Sequence, residues 1–88
     1  MDAPLYNALC ALSEQKTLRM HMPGHKGKAM APLFSAAAID FTEIPPTGNL
    51  YTGEGPIAEA EGLAAKAWGA EGAYFLTCGS TQGVLAGL

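Results

Sequence analysis

Gly79-Ser80-Thr81-Gln82-Gly83 gathers, in one short run, the groups that hold an oxyanion. Apolar Ala73-Tyr74-Phe75-Leu76 precedes it and reads as a buried strand, while Val84-Leu85-Ala86-Gly87-Leu88 follows and reads as the start of a helix. The first turn of a helix carries backbone N–H groups without an intrahelical acceptor, and the aligned peptide dipoles place partial positive charge there. A strand that passes through Gly-Ser-Thr straight into a helix therefore suits a phosphate or a carboxylate. Gly79 permits the tight turn and close backbone approach, and Ser80 and Thr81 each offer an amide and a hydroxyl. Two readings stand side by side: Ser80 simply caps the next helix, or the turn holds an anion. No Gly-Lys-Ser/Thr follows and no G-x-G-x-x-G is present, so the anion expected is a single phosphate rather than a pyrophosphate.

A second chemically dense run is Met22-Pro23-Gly24-His25-Lys26-Gly27-Lys28. Lys16, Arg19, Lys26 and Lys28 share one window with His21 and His25, and all eight acidic residues lie outside it. The plain reading is a solvated basic loop. His21 and His25 stand four apart, but Pro23-Gly24 between them removes the helical face that a metal pair would use. A zinc site drawing on Cys10 and Cys78 lacks the close cysteine spacing such sites show, so no metal ligand is assigned. Lys26 as an imine-forming lysine would need a desolvated setting, which a basic loop does not supply. Asp40 and Glu43 lie three apart near a strand end. They need not face each other as an acid–base pair, and either could instead pair with the basic loop.

The elements that must position these groups follow from spacing and breakers. Asp2 as N-cap, Pro4 in the first turn and Leu5, Leu9 and Leu12 at helical spacing predict an amphipathic helix over about 3–15. Residues 18–28 contain Pro23, Gly24 and Gly27 and cannot be a regular helix. Pro32–Ala38 suggests a short helix, and Ile39–Ile44 alternates as a strand does. Pro45–Pro56 is a loop, and one of about a dozen residues in a compact domain is more often functional than idle. From Pro56, residues Ile57, Ala60, Leu63, Ala64, Ala67 and Trp68 share a broad face, with Gly69 as the stop. Gly62 inside that helix costs about 1 kcal/mol against alanine, which close packing would explain. Trp68, Tyr74 and Phe75 are expected in the core. Helix, strand, turn and helix in this order point to an α/β domain.

Bulk properties narrow the function classes. Hydrophobic residues make up 49% of the chain and charged ones 15%, which argues for a globular core rather than disorder. A net charge of −3 argues against general nucleic-acid binding. No run approaches the roughly 20 apolar residues of a membrane span, and the N-terminus lacks the pattern of a secretory signal. Two distant cysteines form no disulfide framework, so a reducing cytoplasm with free thiols is expected.

Taken in order, Arg19-Met20-His21-Met22-Pro23-Gly24-His25-Lys26-Gly27, Asp40-Phe41-Thr42-Glu43, Gly55-Pro56-Ile57-Ala58-Glu59-Ala60-Glu61, Trp68-Gly69-Ala70 and Phe75-Leu76-Thr77-Cys78-Gly79-Ser80-Thr81-Gln82-Gly83 are more specific than any one of them. Together they resemble the N-terminal part of the Orn/Lys/Arg decarboxylase family, bacterial pyridoxal 5'-phosphate enzymes with the aspartate-aminotransferase type of fold. The resemblance covers nearly all the chain from Leu18 onward. It implies an α/β, fold-type-I large domain cut short, with residues 1–50 as an N-terminal helix and Pro-Gly-His-Lys loop segment and 51–88 as the incomplete start of the cofactor-binding domain. It implies pyridoxal 5'-phosphate as cofactor, its phosphate held by Ser80 and Thr81 with the backbone of Gly79 and Gln82, and the Pro23–Lys28 loop near the active site or a dimer interface.

The activity implied is that of a cytoplasmic lyase of amino-acid metabolism, polyamine biosynthesis included. It would decarboxylate a small basic amino acid (lysine, ornithine or arginine) as a homo-oligomer, with no nucleic-acid or membrane partner. Members of the family are several times longer, and their cofactor-linked lysine, ring-stacking histidine and acidic partner of the ring nitrogen fall beyond Leu88. No residue here is therefore given a catalytic role, and the piece alone is expected to be inactive, marginally stable and prone to associate. The alternatives are another enzyme of the same cofactor and fold, such as an aminotransferase, or a non-catalytic binding or dimerisation module.

Overall fold

The structure is a computed structural model that describes residues 2–28 and 32–88. Its elements are α1 (Pro4–Glu14), a 3₁₀ helix (Pro32–Ile39), α2 (Gly55–Trp68) and α3 (Ser80–Ala86). Helix α1 packs against α2 and against the 3₁₀ helix. The N-cap of α1 is Ala3 rather than the expected Asp2. Asp2 sits one residue earlier, where its carboxylate accepts both the Ala3 N–H and the Asn7 side-chain amide at 2.9 Å. The carboxylate still secures the helix start, from outside the helix.

Helix α2 behaves as its sequence requires. Pro56 stands in the first turn, where its missing N–H has no intrahelical acceptor to lose. Gly69 ends the helix with φ +66°, and the Ala70 N–H reaches back to the Ala65 carbonyl at 2.9 Å, closing a Schellman-type C-cap. Ile57 and Ala65 are buried on its inner face, and Ala37 of the 3₁₀ helix is the third buried apolar residue among the described ones. Close packing does not account for Gly62, because a Cβ there would meet nothing within 4 Å.

Between the 3₁₀ helix and α2 the chain folds on itself through polar contacts. Thr47 is 4% exposed and its hydroxyl staples the turn: it accepts the Ile44 N–H at 2.9 Å and faces the carbonyls of Ile44 and Thr42. The Asn49 side chain accepts the N–H groups of Tyr51 and Thr52, and Asn49 and Glu54 form an isolated antiparallel bridge. Gly48 (φ +83°) lies where a Cβ would stand 2.6 Å from the Glu54 carbonyl oxygen, so only glycine lets the two ends of this loop meet.

Neither expected strand forms among the described residues. Ile39 closes the 3₁₀ helix, 40–44 run on irregularly, and 73–76 form no regular element and have no ladder partner. The physical reason is plain: a strand is defined by the neighbour that takes its backbone hydrogen bonds, and no such neighbour pairs with either segment among the described residues. The α/β architecture is accordingly absent from the described residues, which hold helices and one isolated bridge. The expected core aromatics are also outside: Trp68 is 87% exposed, Tyr74 83% and Phe75 43%.

The chain exposes 6778 Å², against about 4,900 Å² for a compact monomer of its mass. Its radius of gyration is 15.0 Å, against about 12 Å for a compact domain of this length. Both departures point to apolar surface that the chain does not cover by itself.

Two substitutions check these local assignments. Gly62→Ala is expected to stabilise α2 by about 0.5–1 kcal/mol, read from thermal or urea unfolding, because it removes backbone entropy and fills open space; a loss of stability would show that the site is packed. Thr47→Val keeps the side-chain volume but strips the Ile44 N–H of its acceptor, at a cost of about 1–3 kcal/mol. The Ile44 amide should then exchange faster with solvent, and an unchanged rate would refute the staple.

Candidate functional site

The Gly-Ser-Thr turn forms the start of α3, as expected. Gly79 is the N-cap, with φ +80° and ψ 170°, a conformation essentially restricted to glycine. Ser80 is then the first helical residue, so it does not cap the helix with its side chain. The N–H groups of Ser80 and Thr81 find no acceptor among the described residues, whereas the Gln82 N–H donates to the Gly79 carbonyl at 3.2 Å. Two amides and two hydroxyls are thus free at an exposed turn. Gln82 also borders a cleft of about 260 Å³ with Leu50, Tyr51, Glu61, Tyr74 and Cys78. No lysine lines that cleft, and Glu61 within it already accepts the Phe75 N–H at 2.8 Å.

This donor set fits one phosphate group: free amides at a helix start, hydroxyls beside them, and no Cβ at Gly79 to block approach. It offers nothing that would form an imine.

The basic loop is folded rather than merely solvated. His25 is its pivot. Its Nδ1 accepts the Gly27 N–H at 3.0 Å, and its Nε2 faces Asp40 Oδ2 at 2.9 Å. An Nδ1 that accepts has no proton, so the ring's proton resides on Nε2 and is donated to the carboxylate. Asp40, one of the two acids singled out in the sequence, therefore pairs with the basic loop. The other, Glu43, accepts the Leu50 N–H at 3.0 Å, and the two carboxylates act separately.

Lys26 adopts φ +56°, and its Nζ donates to the His21 carbonyl at 2.7 Å. Its amine is spent on the loop's own backbone at an exposed position, which is not the setting of a nucleophilic lysine.

Arg19 carries a contact that sequence reasoning missed. Its guanidinium lies 4.0 Å from the Phe41 ring centroid, a cation–π stack, and Nη2 donates to the Ala38 carbonyl at 2.8 Å. The opposite side is closed by Gly27, where a Cβ would collide with Nη1 and Cζ. Nη1 is buried without a hydrogen-bond partner among the described residues. His21 completes the group, its ring 5.6 Å from that of Phe41. The signal available in the sequence was Gly27 itself: a glycine directly after a lysine at a turn marks a place where another group comes close.

Cys10 and Cys78 are free thiols, and no cluster of three or more His, Cys, Asp or Glu side chains suited to a metal occurs among the described residues. The Cys10 side chain, one turn along α1 from Tyr6, pushes the Tyr6 hydroxyl pKa above the ordinary tyrosine value.

The family model for the Orn/Lys/Arg decarboxylase major domain matches residues 3–86. An arginine decarboxylase of Bacillus cereus is 36% identical over 91 residues, covering 96% of this chain and 20% of that protein. Arginine decarboxylases of Bacillus anthracis and Bacillus subtilis are 36% and 33% identical, again over 96% of this chain. The chain spans about a fifth of the length of these relatives. No solved structure gives a significant match. No helix among the described residues is long and apolar enough to cross a membrane.

The loop geometry makes a direct prediction. Nitrogen NMR of the His25 ring should report the Nε2–H tautomer, and Asp40→Ala should remove the protected Nε2–H signal. The opposite tautomer would refute the pairing. Gly27→Ala should break the Arg19 stack, at a cost of about 1–3 kcal/mol from its positive φ alone, and ring-current shifts from Phe41 on the Arg19 side chain should disappear. Shifts that persist would place Gly27 elsewhere.

Proposed function

The chain belongs to the Orn/Lys/Arg decarboxylase family, and on that premise we propose that it is the N-terminal portion of a pyridoxal-phosphate-dependent decarboxylase of a basic amino acid. The observation that carries the proposal is the family match over residues 3–86 together with an anion-ready turn at its far end. The relatives named as arginine decarboxylases favour arginine among the possible substrates, with lysine and ornithine as the family's other named choices.

In this reading Gly79, Ser80, Thr81 and Gln82 hold the cofactor's phosphate. Gly79 keeps the backbone open, and the free amides and hydroxyls of Ser80 and Thr81 donate to phosphate oxygens. Gln82 contributes through its side chain, since its amide already serves the Gly79 carbonyl. When bound, the cofactor supplies an electron sink for loss of CO₂ from the amino acid. The residues of this chain bind and orient that group. They provide no lysine beside the cleft, no acid for a ring nitrogen and no ring-stacking histidine, so the chain by itself is inactive.

The Pro23–Lys28 loop serves a different end. Through His25 and Gly27 it holds Arg19 and Asp40 in fixed places, at an active-site edge or subunit boundary. Cytoplasmic location and a homo-oligomeric complete enzyme belong to the same reading, as do the fold-type-I sheet and the division at residue 50.

Titration of the labelled chain with pyridoxal 5'-phosphate or inorganic phosphate should shift the Ser80 and Thr81 amide resonances, and Gly79→Ala should abolish the response. Unmoved resonances would remove the cradle. After borohydride reduction the chain should carry no stoichiometric cofactor adduct, and a retained adduct would refute its inactivity. For the complete protein, release of CO₂ with the corresponding amine is expected; an oxo acid as product would instead identify a transaminase.

A further inference from the structure

His21 and His25 sit in one folded loop, yet their rings are used in opposite senses. The His21 Nδ1 faces the Met22 carbonyl and must therefore donate to it. A second proton, taken up on its Nε2, leaves that bond as it is. The His25 Nδ1 instead accepts the Gly27 N–H at 3.0 Å, while its Nε2 donates to Asp40 at 2.9 Å. A proton added to His25 can land only on Nδ1, where it opposes the Gly27 N–H donor to donor. Turning the ring over gives no relief, since that would set the carbons Cδ2 and Cε1 against Gly27 and Asp40.

The surroundings decide which contact yields. Asp40 is the one charged side chain in ion-pair contact with His25 among the described residues, and that pairing strengthens when the ring is positive. The loop's own cations are engaged otherwise. Lys26 directs its ammonium to the His21 carbonyl, Lys28 meets His25 through its backbone N–H, and the Arg19 guanidinium lies behind Gly27. The peptide that carries the Gly27 N–H joins Lys26 (φ +56°) to Gly27 (φ +75°), both in the left-handed region, which a lysine adopts reluctantly. This peptide is held against its local preference, so it is the contact that gives way.

We propose that His25 is a proton-operated latch on the Arg19 stack: neutral, it holds Gly27 over the guanidinium, and protonated, it keeps Asp40 and releases Gly27. A Cβ at Gly27 would stand 2.4 Å from Nη1, so closely does this residue cover the guanidinium. Movement of the peptide therefore uncovers a nitrogen that has no hydrogen-bond partner among the described residues. Imidazole is the side chain that ordinarily changes charge between about pH 5 and 8, and carboxylates ordinarily titrate below that window. The inference rests on the geometry of the loop and not on the cofactor reading.

Nitrogen and proton NMR of the 88-residue chain from about pH 8 to about pH 5 tests it. The coupling across the hydrogen bond from the Gly27 amide to His25 Nδ1 should vanish along the His25 titration curve. Protection of that amide should fall about fivefold, while the Nε2–H signal on Asp40 persists. Ring-current shifts from Phe41 on Arg19 should change on the same curve. His25→Gln can accept from Gly27 but takes up no proton in this range, so it should make the Gly27 and Arg19 signals independent of pH. His21→Gln should leave the transition in place. A Gly27 coupling that survives the His25 titration would overturn the proposal, as would a transition that follows His21 or persists in His25→Gln. So would loss of the Nε2–H signal together with the Gly27 coupling, because the whole loop would then be unfolding.

Discussion

An apolar segment whose peptide groups have no ladder partner among the described residues governs the form of this chain. Residues 73–76 have no sheet neighbour among the described residues, and of their amides only that of Phe75 is anchored there, on Glu61. Backbone polar groups must be paired or wetted, so the segment stays at the surface and keeps Tyr74, Phe75 and Leu76 there with it. Because the segment does not enter a core, α1 and α2 meet over a shallow groove, and α3 packs against no other helix among the described residues while Leu76 lies against its Gly83. The scarcity of buried side chains follows from one unmet requirement rather than from many local defects.

Within that open frame, order comes from polar clamps more than from packing. Thr47 staples one turn, Asn49 another, and His25 joins the basic loop to Asp40. Each satisfies backbone groups locally, and each depends on a glycine or a small polar residue at one position. The Arg19–Phe41 stack is the clearest case, since it exists only because Gly27 has no side chain. The basic window, which looks like a solvated patch in the sequence, is instead a folded unit that spends Lys26 and His25 on its own architecture and leaves one guanidinium nitrogen buried with no partner among the described residues.

What could be read from the sequence was local. The bounds of α1 and α2, the glycine stop at Gly69, the loop after Pro45 and the turn into α3 at Gly79 all follow from periodicity, breakers and capping preferences that act within a few residues. The strands over 39–44 and 73–77 could not be read this way, because a strand exists through a partner distant in sequence. The burial expected for Trp68 and Tyr74 failed for the same reason: their hydrophobicity is evident, but what would cover them is not encoded nearby. At the candidate site, the free amides of Ser80 and Thr81 were legible from the Gly-Ser-Thr turn. The use of the Gln82 amide by Gly79 was not, since it depends on how tightly the first turn closes.

Amide hydrogen exchange across residues 73–77 is the most direct measurement. Tyr74 and Leu76 are expected to exchange at close to unprotected rates while Phe75, held by Glu61, exchanges more slowly and the α2 amides are well protected. Alternating protection along 73–77, comparable to that of α2, would mean that a sheet neighbour exists within the chain, and the view of this segment as an unpartnered strand would be wrong.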